Sequence, residues 1–271
     1  MLYNQIIFKS AYPYVINNFI REYDLSAANI NALYSEGIIN IDEYNKFMDM
    51  PKHIREVKIG IMSRDKAVYN AIKNGIIKAK KELFLANNIQ DHEVVSIKND
   101  AVFVLGRKLQ YTQFGNYNFK LKNEYTVFMK LQDLEIYYGD SILPDGSVDV
   151  NVDIKGIDDS KIPLHENGML GLICEICFML QRYDPKETLE VLMDFYRKFL
   201  LKELHIDYYR EFNSRSGYIF MAPVGAYSLD YIHNPNQHLM SKLDINRNNL
   251  IFRDLIHIVS NIYKSSVAQP R

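Results

Sequence analysis

The chain has 271 residues, 48% of them hydrophobic, with 32 Lys and Arg against 33 Asp and Glu and a formal charge of −1. That content is enough for a large core, as one large domain or two modest ones. No uninterrupted apolar run approaches the ~20 residues a bilayer span requires, and no cationic leader with an apolar centre opens the sequence, so the expectation is a soluble protein of the cytoplasm, that of a host cell if the chain is viral. The near-neutral total conceals clustering: basic residues gather in 52–81 and 107–130 and acids in 133–160. Net charge therefore neither supports nor excludes a nucleic-acid partner.

The opening residues, through Phe8-Lys9-Ser10 and Tyr12-Pro13-Tyr14, carry mixed signals and read as a helix or loop leading to a short strand near Phe19 to Asp24. The pattern then turns helical, with Ser26 as N-cap and Ile30, Leu33 and Tyr34 on one side until Gly37 ends it. Asp42 is placed to cap a short helix through Met48, and Pro51 opens a basic segment, Lys52-His53-Ile54-Arg55-Glu56-Val57-Lys58. From Arg64 to Asn88, Val68, Ile72, Ile76, Ala79, Leu83 and Ala86 recur at three or four residues and define the inward face of a long helix. Lys66, Lys73 and Lys80 are expected elsewhere on it, and Asn87-Asn88 to stop it.

A hairpin over 93–105 follows, with a polar three-residue tip, Lys98-Asn99-Asp100, and then strand-like runs at 117–121 and 125–138. Pro144-Asp145-Gly146-Ser147 is a turn, after which Val148, Val150, Val152 and Ile154 alternate with polar residues as in a half-exposed strand. Helices are expected at 165–182 and 187–204, with Pro185 between them, and at 250–264. The fold class is α+β: an antiparallel sheet with helices, then a mainly helical C-terminal part.

Cys174 and Cys177 form a C-x-x-C without the further Cys or His ligands that zinc requires. Their apolar, helix-like surroundings favour core packing. The seven histidines show no metal spacing, and neither a G-x-S-x-G nor a phosphate-cradling G-x-x-x-x-G-K is present.

Asp24 ends the first strand and Asp100 stands where the second arm of the hairpin begins. Two carboxylates from separate elements can bridge divalent ions ~3.5–4 Å apart and serve phosphoryl transfer. Mg²⁺ takes oxygen ligands and keeps waters and substrate phosphates in its shell, so two acids from the protein suffice. An Asp at a hairpin tip also has the mundane task of fixing the turn.

The segment Ser96-Ile97-Lys98-Asn99-Asp100-Ala101-Val102-Phe103-Val104 resembles the Y-G-D-T-D-S-V-F-V hairpin of family-B DNA polymerases, with Asp100 at the second, metal-binding Asp and Lys98 in place of the first. Asp24-Leu25-Ser26-Ala27-Ala28-Asn29-Ile30-Asn31-Ala32-Leu33 resembles that family's D-F-N-S-L-Y-P-S-I-I motif, with Asp24 in the metal-binding place. The order agrees as well, because a basic fingers segment and a long helix separate the two motifs in that family. The fingers motif K-x-x-x-N-S-x-Y-G is not reproduced.

The resemblance covers roughly 19–160. It implies a palm-like domain over 1–160 with a short fingers insertion at about 40–90, and a helical thumb-like region over 161–271. Asp24 and Asp100, with the Leu25 carbonyl, would hold two Mg²⁺. Arg55 and Lys58 are the candidates for the incoming nucleoside triphosphate, and Lys122, Tyr125 and Lys155 for the primer-template backbone. Asn29 replaces the tyrosine that excludes ribose in the family, which leaves DNA and RNA synthesis both open.

The leading expectation is thus a compact, phage-encoded, template-directed nucleotidyltransferase, with partner subunits as a source of missing fingers or exonuclease functions. Two alternatives stand beside it: a non-catalytic viral structural or accessory protein that binds nucleic acid or protein, and a phosphoryl-cleaving metal enzyme built on the same acids. Tyr208-Tyr209-Arg210 and Arg215 are a further group able either to stack on nucleic acid or to cover a helix–sheet seam.

Overall fold

A computed structural model describes residues 1–212 and 247–268. The fold is mixed α+β, as expected, with antiparallel strands and a helical C-terminal part. It divides into two compact units, Met1–Tyr12 with Asn18–Glu124 and Pro13–Asn17 with Tyr125–Arg271. The division at 124/125 differs from the one expected at 160/161, because the strands after Tyr125 share a core with the later helices.

In the first unit the strands β1 (Ile7–Phe8), β3 (Val94–Lys98), β4 (Ala101–Leu105), β2 (Tyr14–Leu25) and β6 (Tyr117–Leu131) lie in that order, with the short β5 (Gln113–Phe114) beside β6. The last two run on into the second unit. Val94, Val95, Ile97 and Ala101 to Val104 are buried whichever face they point to, which explains a hairpin made of near-continuous apolar runs instead of alternating ones. Lys98 pairs with Ala101, so the tip is the two residues Asn99 and Asp100. Asn99 takes the left-handed conformation at φ 56, a geometry Asn tolerates through its short polar side chain. β2 runs antiparallel to β4 from Ile20 opposite Leu105 to Asp24 opposite Ala101, which sets Asp24 next to the hairpin tip.

Four helices follow β2: α1 (Ala28–Ser35), α2 (Ile41–Met48), α3 (Lys52–Met62) and α4 (Lys66–Ala86). Neither expected cap is used. Ala27, left-handed at φ 49, precedes α1, and Asn40 rather than Asp42 caps α2, its side chain accepting from Glu43 N–H while Glu43 reaches back. The long α4 buries Ile76, Ala79, Leu83 and Phe84 against Tyr23, Ile97, Val102 and Val104. Full burial of each large side chain of this kind is worth ~1.5–3 kcal/mol. At Gly75 an added Cβ would sit 2.5 Å from the Ala32 Cβ, so α1 is drawn tightly onto α4. Ala86 is exposed and Asn87 buried: the latter ends the helix by donating to Leu83 and Tyr111 carbonyls and accepting from Gln110 and Tyr111 amides.

In the second unit β2, β6, β7 (Leu134–Ile142) and β8 (Val148–Lys155) are neighbours in that order. The break expected between 121 and 125 does not exist; β6 is one long strand, and the reversal falls at Gln132 and Asp133, with Gln132 at φ 59. Composition hides it, because a turn without Gly or Pro carries no strong signal. Helices α5 (Met169–Arg182), α6 (Pro185–Leu201) and α7 (Arg247–Ala268) pack against these strands. Pro185 is the first residue of α6, where its missing N–H is harmless, and Asp184 caps the helix.

Candidate functional site

Asp24 and Asp100 line one cavity of about 150 Å³ in the first unit, together with Leu25, Asn29, Lys52 and Arg55. The volume is below the ~300–1,000 Å³ of a small-molecule pocket, so it fits ions and a phosphate group rather than a whole nucleotide. Three elements meet there by simple local logic. The antiparallel register fixes Asp24 beside the tip, the tight turn fixes Asp100, and α3 brings its cations across from a separate helix. Lys52, Arg55, Glu56 and Ile59, spaced by three and four residues, all reach the cavity from one face of α3.

Among the described residues neither aspartate makes an ion pair. Burial, and after it the charge of Asp24, holds the Asp100 carboxyl above the usual Asp range; its own N–H, Lys122 and Lys80 pull the other way. A buried carboxyl whose ionisation is opposed by burial and by a neighbouring carboxylate is one that a cation would relieve. No group of three or more His, Cys, Asp or Glu able to hold a metal is found among the described residues, so any ion here rests on two carboxylates, backbone oxygens and water.

The remaining expected residues divide. Arg55 reaches the cavity, but Lys58 is exposed and lies about 120° around the helix from Lys52, away from it. Lys122 pairs at 3.2 Å with Glu22, a buried acid two residues before Asp24 that also accepts from Asn123 at 2.6 Å. Tyr125 is wholly buried with its ring against Tyr137 at 5.4 Å, which makes it a core residue and corrects the expectation of a backbone contact. Lys155 pairs with Asp153 at 2.7 Å. Tyr209 is also buried, stacked on Phe199 at 5.1 Å with its hydroxyl donating to the Phe199 carbonyl, so it is not open to a base; Arg215 lies outside the described residues.

Two residues near the acids escaped the sequence reading. Glu22 was hidden because a buried acid in a strand looks like part of an alternating pattern. Lys80 was expected on an outer face of α4 and is fully buried; its ammonium donates to the Gln5 carbonyl and, at 3.2 Å, to that of Asn99. Burial pushes it down to about 8, with Asp100 opposing the shift. Its position one residue after Ala79 was the available signal, since Ile76, Ala79, Lys80 and Leu83 form one continuous stripe.

The cysteines follow the packing interpretation. Cys177 is buried and Cys174 half-buried, both are free thiols, and burial raises Cys174 to about 11. Such a thiol carries little thiolate at neutral pH.

A family model of the Bacteriophage PBS1 gene 130 protein matches residues 2–262. The chain belongs to that family. No curated protein matches the chain. Among the described residues no helix is long and apolar enough to cross a membrane. The family description names a phage and no activity.

Proposed function

We propose that the chain is a phage-encoded, template-directed nucleotidyltransferase of the DNA polymerase type, with Asp24 and Asp100 as its metal-holding acids. One observation carries the proposal: two aspartates from separate, rigid strand ends line a single cavity faced by Arg55. The donor set suits Mg²⁺, which binds oxygen and accepts as few as one or two protein carboxylates. The Leu25 carbonyl is the further oxygen available at the same strand end. When bound, a pair of Mg²⁺ ions supplies activation of the primer 3′-hydroxyl and neutralisation of the departing pyrophosphate.

The chain's own residues then do the rest. Arg55, with Lys52 one helical turn before it, binds the triphosphate, a guanidinium being suited to two-point contact with phosphate oxygens. Asn29 lines the cavity and would meet the incoming sugar at its edge. Lys122 and Lys155, which pair with Glu22 and Asp153, would contact the backbone of a primer-template. A short fingers insertion would lie at about 40–90, and the working compartment would be the host cytoplasm. Partner subunits would complete the fingers.

A second reading keeps the fold and drops the catalysis: a palm-like viral structural or accessory protein that binds nucleic acid or protein. Lys98, standing in the place of the first hairpin acid, favours it. Primer extension by the purified chain with DNA and RNA templates, deoxy- and ribonucleotides, and Mg²⁺ separates the two. Metal-dependent incorporation that is lost in Asp24→Asn and Asp100→Asn supports the enzyme. No incorporation on any template, with no Mg²⁺ binding, supports the accessory protein.

A further inference from the structure

Lys80 sits on the buried face of α4 with none of its surface exposed. Taking an ammonium out of water is costly and persists only where hydrogen bonds and opposite charge offset it. Its two acceptors are main-chain carbonyls, those of Gln5 and Asn99, and the opposite charge bearing on it is Asp100. Asn99 precedes Asp100 and is held left-handed at φ 56. Its N–H donates to the Ile6 carbonyl at 2.8 Å, and the pairing of Ile7 with Lys98 extends that contact. Both polar groups of Asn99's backbone are therefore tied down, one by the N-terminal segment and one by an ammonium that grips the same segment at Gln5.

We propose that Lys80 is a positioning residue: its ammonium latches the hairpin tip to the N-terminal segment and so fixes the direction of the Asp100 carboxylate toward an ion shared with Asp24. The inference rests on the two-carboxylate metal site proposed above. A carboxylate that swings by an ångström no longer shares a ligand sphere, so the backbone of the tip has to be anchored as well as turned. The lysine holds the turn from beneath, through backbone oxygens, and leaves the carboxylate free for the ion.

The sign of one substitution separates this role from plain electrostatics. A lysine acting only through its charge repels a cation, so Lys80→Met would tighten metal binding. A latch gives the opposite result. In the full chain, titration with Mn²⁺ alone, read by its electron paramagnetic resonance signal, is expected to show at least a tenfold weaker affinity in Lys80→Met. Amide exchange at Asn99 and Asp100 is expected to speed up while circular dichroism stays unchanged, and Lys80→Arg is expected to recover binding to within threefold. Lys80→Met that binds Mn²⁺ as tightly as the parent, or more tightly, overturns the proposal. If Lys80→Met does not fold, Lys80→Arg decides: exchange at the tip and Mn²⁺ affinity that move together, or both hold, support the latch, whereas faster exchange with unchanged affinity overturns it. A parent chain that binds no Mn²⁺ rejects the metal site itself; the latch then stands or falls on whether Lys80→Met speeds amide exchange at Asn99 and Asp100.

Discussion

Asp140, inside β7 of the second unit, and Asp100, at the hairpin tip of the first, are both acids of a sheet, and the fold treats them in opposite ways. Asp140, its side chain only 3% exposed, is paired with Arg182 at 2.7 Å and accepts from the Tyr138 hydroxyl at 3.1 Å, while Gln181 approaches at 3.5 Å and is itself held by Thr126. Arg182, Tyr138 and Gln181 all direct donors at it. Among the described residues Asp100 has no such ion pair, and it is held up by burial and by the second negative charge of Asp24. A satisfied acid is an architectural part, whereas the raised carboxyl of Asp100 beside Asp24 is the feature on which the proposed metal site rests.

The largest expected effect tests that contrast directly. Asp24→Asn and Asp100→Asn should each lower Mg²⁺-dependent incorporation by about 10³-fold, a loss typical of removing key transition-state charge stabilisation, with circular dichroism unchanged. Undiminished synthesis would place both acids with Asp140 among the structural ones. Next, Arg55→Ala should raise the nucleotide KM by roughly tenfold, the scale of one charge-assisted phosphate contact, while Lys58→Ala should change it less than about twofold. Equal effects would mean that the basic helix acts as a diffuse field and not through one aimed side chain.

Asp140→Ala should behave inversely to the cavity acids. Removing one partner leaves Arg182, which is 27% exposed, without its acid, and the cost should be about 2 kcal/mol in urea unfolding, below the figure for a fully buried pair, with incorporation retained. The smallest effect concerns stability and pH. A carboxyl whose pKa is raised on folding destabilises the native state once ionised; that penalty is absent below the unfolded Asp value, grows as pH rises toward the folded value, and is complete above it. Asp100→Asn should therefore raise Tm at neutral pH, with the gain shrinking as pH falls into the acid range. Added Mn²⁺ should raise the Tm of the parent and not that of the variant.

Much of this was legible along the chain. The strand end at Asp24, the helix to Gly37, the long helix and the hairpin all announce themselves by period and punctuation, and so does the hydrophobic frame that carries the acids. The residues that were misread share a cause. Tyr125 looks like an available aromatic donor, and Lys80 looks like a surface cation, because residue type reports chemistry and not exposure. Lys80 was placed on the wrong face since a buried ammonium contradicts the usual burial order and needs specific acceptors to exist.

The sequence by itself determined the local elements, the α+β class and the two acids as the best chemical candidates, because periodicity and turn chemistry are short-range properties. Only the tertiary structure decided that Asp24 and Asp100 share a cavity, that Arg55 faces them and Lys58 does not, and that Lys80 supports the hairpin from below. Those facts depend on strand register, on the rotation of α3, and on the acceptors that Gln5 and Asn99 present from distant parts of the chain. No local pattern encodes them.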